Sequence, residues 1–196
     1  MENPSYHNMS PIPGLIILSC WIVFVAYWLI SAFGVKATAE RGSFSTRLTY
    51  RIPLIIGGII LGKFHQPYPL SLAVTPQTFV TAAIGAAVCV AGLCVAIWSR
   101  WTLGGNWSSE VTFKVGHQLV KTGPYRLVRH PIYTGVLLMF LGPVIQFGRL
   151  HCWLGLAIIA LGLWIKLKQE EAIMLRHFPD YSDYCKEVKA LVPFVI

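Results

Sequence analysis

The chain has 196 residues, 55% of them hydrophobic and only 12% charged, with a mean hydropathy of +0.60 and a formal net charge of +8. A soluble domain is roughly 25% charged, so the shortage of charge excludes a single soluble domain of this length and predicts one integral membrane domain over 1–196. Cys20, Cys89, Cys94, Cys152 and Cys185 form no CxxC pair and four lie in apolar runs, which fits packing residues and not a disulfide framework or a zinc site.

The N-terminal stretch MENPSYHNMSPIPG has no basic region and carries Glu2, so the first apolar run does not read as a cleavable signal peptide. That run, Pro13 to Phe33, has about 21 uncharged residues, enough to cross a membrane as a helix. Ile52 to Gly62 covers only about 17 Å as a helix, so it must recruit flanking residues from Leu48 to His65 or stop partway. Its Gly58 and Gly62 make a small-xxx-small pair suited to close helix approach. Thr78 to Trp98 is another full span. Ile132 to Phe147 and His151 to Ile165 are shorter, and Gly148-Arg149-Leu150 between them reads as the tight turn of a helical hairpin.

Counting Ile52 to Gly62 as a span gives about five transmembrane helices: three in residues 1–99, and the last hairpin with its polar flanks in 100–196. With five spans, 14 of the 16 basic residues face one side, leaving Lys63 and Arg149 on the other. The positive-inside rule then predicts a cytoplasmic polar side and C-terminus, with the N-terminus outside. Topology and anionic headgroups account for the net charge, so no nucleic-acid partner is implied. The polar segments 100–130 and 166–195 flank the last hairpin and are predicted to meet in one cytoplasmic cap. Within it, Val111 to Val120 alternates weakly enough to suggest a short hairpin of its own, and Lys166 to Leu175 suits a helix continuing beyond the membrane.

The chemistry concentrates in GPYRLVRHPIYTG, residues 123–135. Gly123-Pro124 marks a turn. Pro131 biases His130 away from helix and starts the next one, so His130 stands at its threshold. Arg126, Arg129 and His130 therefore gather at a helix N-terminus, whose free N–H groups suit an anion such as a carboxylate or phosphate. Either arginine is equally explained as a charge that flanks a span. A second cluster, Glu170-Glu171, follows Lys166 and Lys168 on the same predicted side. A helix-face pair of Lys166 with Glu170 explains part of it. Together the basic and acidic clusters form two walls suited to a zwitterion such as an amino-acid headgroup. Asn106, Trp107, His117, Tyr125 and Tyr133 could add an amide and flat rings. The sequence contains no GxSxG, HExxH, P-loop or GxGxxG motif.

LVKTGPYRLVRHPIYTG and EEAIMLRHFPDYSDYCKEVKALVPF, with LGGNWS before them, resemble the isoprenylcysteine carboxyl methyltransferase family over about Leu103 to Phe194. These integral membrane enzymes use S-adenosylmethionine, and phospholipid N-methyltransferases share the C-terminal pattern. The resemblance implies an all-α membrane protein with a cytoplasmic cofactor-binding cap. In it His130, Tyr133, Glu170 and Glu171, with Arg129 beside them, line the cofactor site, and His117, Leu119, Val120, Gly123 and Tyr125 wrap the cofactor. It further implies a membrane lipid or lipid-modified acceptor entering a cavity between the last helices, with no metal. The expected reaction is methyl transfer to a carboxylate, held by Arg129 or else Arg126 as the catalytic arginine. The alternatives are phospholipid N-methylation, an NADPH-dependent sterol-type membrane reductase, and a non-enzymic membrane protein. The tail departs from the family's usual Phe-Gly pair at Phe178-Pro179, which bears on Tyr181 and Tyr184.

Overall fold

The computed structural model describes residues 10–62 and 66–195. Most of them are helical: α1 (Ile12–Ser31), α2 (Phe44–Gly62), α3 (Phe79–Leu103), α4 (Pro131–Phe147), α5 (Leu150–His177) and the short α6 (Tyr181–Glu187). Four of these, α1, α2, α3 and α5, are long and apolar enough to cross a membrane, while α4 is a shorter apolar helix of 17 residues. The fold is thus the expected all-α membrane type, but its short apolar helix is α4. The Ile52–Gly62 run grows into a 19-residue helix by recruiting Phe44 to Arg51. Ser43 makes that start possible, because its Oγ accepts the Thr46 N–H at 3.1 Å. Other termini follow local signals. Thr78 and Thr81 form a reciprocal capping box ahead of α3. Gly148, at φ 61°, ends α4 in the left-handed conformation and turns the chain into α5.

Two helix pairs carry the packing, and both depend on glycine. Lipid offers no hydrophobic drive for helices to associate, so close backbone approach and dispersion must hold them. Gly85 and Gly92 of α3 meet Gly142 and Gly135 of α4; a Cβ built on Gly85 would lie 2.4 Å from the Gly142 carbonyl oxygen. Across α2 and α5, a Cβ on Gly57 would stand 2.8 Å from the Gly155 carbonyl oxygen and 2.7 Å from Ile159. Gly58 and Gly62 have nothing within 4 Å of such an atom. The close approach expected of that pair therefore belongs to Gly57, one residue and about 100° around the helix from Gly58. By contrast α4 and α5, though joined by a tight turn, touch little. Helix α1 packs on α3 through Ile17, Cys20, Ala86 and Cys89.

At one end of the bundle the connections form a polar cap. Thr38–Arg41 (β1) pairs antiparallel with Thr112–Lys114 (β2), with a register shift between Thr38 and Glu40. The local hairpin expected within Val111–Val120 does not form. Lys114 is followed by a tight turn at Gly116 (φ 60°), and the strand takes its partner from the linker between α1 and α2. Buried Arg100, on the last turn of α3, ties the same end together. Its Nη1 donates to Gly104 O at 2.8 Å, its Nη2 to Ser31 O, and its guanidinium lies 4.5 Å from the Trp107 ring centre. The basic residues assigned to one side by sequence lie in this cap or on the helix ends that enter it, and Arg149 lies at the opposite end beside Ala73. Lys63, His65 and the first nine residues fall outside the described residues.

The glycine contacts yield a paired test. Gly57→Ala should destabilise the fold by about 1–3 kcal/mol through overpacking. Gly58→Ala should be neutral or stabilising by up to about 1 kcal/mol through helix propensity. Thermal unfolding of the detergent-solubilised variants separates the two, and equal melting temperatures would contradict the α2–α5 interface.

Candidate functional site

Where α4 and α5 diverge, the cap closes over a cavity of about 320 Å³, near the lower end of the roughly 300–1,000 Å³ common for ligand sites. Its walls come from the start of α4 (Ile132, Tyr133, Val136), one face of α5 (Leu163, Lys166, Glu170, Met174), and the cap. The α5 residues recur at helical spacing, so that face is turned into the cavity.

Local grammar sets the entrance to α4. Pro131 is the first helical residue and His130 precedes it at φ −124°, ψ 59°, as the His-Pro step predicts. The segment before it is a 3-10 turn over Gly123–Arg126, which Gly123 starts at φ 57°. The C-terminal tail then docks on this stretch. Arg129 N donates to Lys189 O at 2.8 Å, His130 N to Ala190 O at 2.9 Å, and Thr134 Oγ1 to Leu191 O at 2.7 Å.

A buried ion pair reaches from the cavity wall to the layer behind it. Arg129 Nε and Nη2 both donate to Glu171 Oε1, at 2.8 and 2.5 Å, and its Nη1 donates to the carbonyls of Cys185 and Val188. The two side chains are only 9% and 8% exposed. Lys168 adds a contact to Glu171 Oε2 at 3.3 Å. His130 sits between the two acids, Nδ1 3.7 Å from Glu170 Oε2 and Nε2 3.4 Å from Glu171 Oε1. That buried Nε2 has an ion-pair neighbour but makes no hydrogen bond. Tyr133 stacks parallel to His130 and donates its hydroxyl to Glu170 Oε1 at 2.6 Å.

His117, Leu119, Val120, Tyr125, Arg129, His130, Tyr133 and Glu170, all expected from the sequence, line the cavity, as do Asn106 and Trp107. Glu171 stands behind them on Arg129. Gly123 serves the turn, and a Cβ there would meet Thr102 Oγ1 at 3.2 Å. The structure does not bring Arg126 in: it is exposed and lines no part of the cavity. Sequence reasoning missed Trp28 and Glu110, named Tyr181 and Tyr184 without a role, and read Lys166 only as a helix-face pair. Lys166 was detectable, being one turn before Glu170 on the face that also carries Met174. Trp28 was not, because it reaches the site from α1 through an edge contact with Trp107 at 6.2 Å. Despite the Phe178-Pro179 departure, α6 places Tyr181 and Tyr184 in the wall, and burial raises both phenols above the usual range.

His117 joins the cavity to the rest of the cap. It stacks on Phe113 at 5.0 Å, and its Nδ1 accepts the Lys114 N–H at 3.4 Å. Burial first, then the Lys36 and Lys114 ammoniums and His177, lower its pKa from 6.5 to about 4. The folded cap thus holds a neutral imidazole that the unfolded chain protonates more readily. Its contribution is complete above pH 6.5 and is lost as pH falls towards 4. His117→Asn keeps an acceptor but removes the titration, so its melting temperature should fall less than the wild type's across that window; parallel curves would refute the assignment. For the ion pair, Arg129→Gln strands a buried carboxylate and two carbonyls and should cost about 3–5 kcal/mol. Arg126→Gln, at an exposed site, should stay within about 0.5 kcal/mol of wild type in the same melts.

The phospholipid methyltransferase family matches residues 80–181, just over half of the chain and nearly all of α3 through α5. The protein-S-isoprenylcysteine O-methyltransferase of Mus musculus is 30% identical over 117 residues, which cover 58% of this chain and 41% of that protein. The nickel-cobalt-cadmium resistance protein NccN of Alcaligenes xylosoxydans xylosoxydans is 32% identical over 95 residues, covering 47% of this chain and 44% of its own. The uncharacterized protein YpbQ of Bacillus subtilis is 29% identical over 128 residues, covering 59% and 76%. The chain spans about two fifths of the length of the mouse protein and of NccN. With the family match extending over most of the helices and loops that enclose the cavity, the chain belongs to the phospholipid methyltransferase family.

Proposed function

We propose that this protein is an integral membrane methyltransferase that takes its methyl group from S-adenosylmethionine and delivers it to the carboxylate of a lipid-modified acceptor, in the manner of protein-S-isoprenylcysteine O-methyltransferases. The observation that carries the reading is the Glu170–His130–Tyr133 wall of the cavity, backed by the Arg129–Glu171 pair. Glu170 keeps one oxygen off the Tyr133 hydrogen bond and would take the cofactor's ammonium. His130, its Nε2 turned to Glu171 Oε1 at 3.4 Å, adds a fixed polar ring to the wall beside Glu170. Trp107, Tyr125 and the backbone of His117 to Val120 would hold the adenosine. The donor set therefore fits the group.

When bound, S-adenosylmethionine would supply an electrophilic methyl for in-line attack by the acceptor oxygen, with S-adenosylhomocysteine leaving as the neutral thioether. A carboxylate is ionised near neutral pH, so no residue need remove a proton. The protein contributes alignment and exclusion of water. Arg129 acts as a positioning residue: all three of its nitrogens are engaged by Glu171 and the tail carbonyls, which hold Glu171 and the tail against the α4 entrance. Exposed Arg126 serves as a charge flanking a span. In this reading the cap is cytoplasmic, by the positive-inside rule.

The family description favours a second reading, N-methylation of an amine phospholipid. That acceptor would have to lose a proton first, with Glu170 as the nearest base. Labelled methyl transfer to prenylcysteine analogues and to total lipid extract separates the two, because only an ester product releases methanol in mild base. Calorimetry on the detergent-solubilised protein should show S-adenosylmethionine binding that weakens about tenfold or more in Glu170→Ala and His130→Ala, as for lost hydrogen bonds to charged groups. Unchanged affinity in both variants would sink the cofactor site.

A further inference from the structure

The acids in and behind the cavity wall all have partners. Glu110 is held by Arg47 at 3.1 Å and Arg51 at 2.5 Å. Glu171 is held by Arg129 and Lys168. Glu170 takes the Tyr133 hydroxyl and faces His130. The cations divide the same way, except Lys166. Its side chain is nearly buried, 11% exposed, and its ammonium lies near the rings of Tyr50 and Tyr133, whose centres are 5.6 and 5.3 Å away. It makes one hydrogen bond, to Ser109 O at 2.8 Å. The nearest carboxylate oxygen, Glu170 Oε1, is at 3.9 Å, beyond hydrogen-bonding range. An ammonium has three donors, and an under-compensated buried cation is costly. An anion in the cavity would complete its shell.

Which anion follows from its place on α5. Lys166 lies one turn from Glu170, on the side of the apolar lining residues Leu163 and Val136. A lipid chain would rest against those two, while the cofactor's amino-acid end belongs to Glu170 and His130. We propose that Lys166 is the specificity-determining residue that holds the acceptor's carboxylate, a role that neither Arg129, with each of its nitrogens turned to Glu171 or the tail, nor exposed Arg126 fills. This rests on the carboxylate-acceptor reading above, and it gives that reading a reason: the same ammonium repels a cationic amine headgroup.

The test measures binding as well as turnover. With S-adenosylhomocysteine bound, a prenylcysteine analogue and its carboxamide are titrated into the wild type, Lys166→Met and Lys166→Arg. The wild type should prefer the acid about tenfold or more, as expected for a charge-assisted hydrogen bond. Lys166→Met should lose that preference while keeping its affinity for S-adenosylhomocysteine, which also shows that it is folded. Lys166→Arg should recover part of the preference. An acid preference that persists in Lys166→Met overturns the proposal. So does a loss confined to S-adenosylhomocysteine affinity, which would assign Lys166 to the cofactor's carboxylate. A Lys166-dependent acid preference without methyl transfer to the acid supports the clamp and defeats the O-methyl reading. Methyl transfer with a Lys166-independent preference does the reverse.

Discussion

Arg129 is the point on which the cap turns. Its guanidinium joins three segments distant in sequence: the loop that enters α4, the cap-side end of α5 through Glu171, and the tail through the Cys185 and Val188 carbonyls. In water such contacts would be weak, but with both side chains buried each partner is the other's main compensation for lost hydration. The planar fork of arginine satisfies a carboxylate and carbonyls at once, which a lysine in its place could not do. With this pair set, His130 is confined between two acids and the tail is drawn across the start of α4.

The membrane part solves a different problem. Two tightly packed pairs, α3 with α4 and α2 with α5, leave α4 and α5 loosely joined to each other. The glycines that allow each pair to close also commit the remaining bulk to the interface between them. Tyr133 and Lys166 project from the helices on either side of that gap. The space needed for a ligand therefore arises from tight packing elsewhere, not from a generally loose interior.

How much of this could be read from the sequence depended on range. The His130-Pro131 step sets the start of α4, Gly148 its end, and the polar but still periodic run after Lys166 the continuation of α5. Each is decided by backbone preferences within a few residues. The Glu170–His130 neighbourhood was legible because span order brings the two segments to the same end of the bundle. What was not legible required knowing how helices rotate. Gly57 and Gly58 are equivalent in composition, and only the α5 surface selects one. The strand Thr112–Lys114 could not reveal that its partner lies about 70 residues earlier. Nor could Arg129 reveal that each of its nitrogens was already engaged, since Glu171 and two tail carbonyls reach it only in the folded cap.

One feature of α2 reaches beyond stability. The family match begins at residue 80, yet Tyr50 forms one side of the Lys166 aromatic enclosure, and Arg47 and Arg51 neutralise Glu110. The half of the chain outside the family match therefore shapes the surroundings of Lys166, while His130 and Glu170 belong to the shared half. Drift in α2 can retune that corner without disturbing the residues opposite. Such a division would let relatives of this architecture vary the Lys166 corner of the cavity while keeping the His130–Glu170 wall opposite.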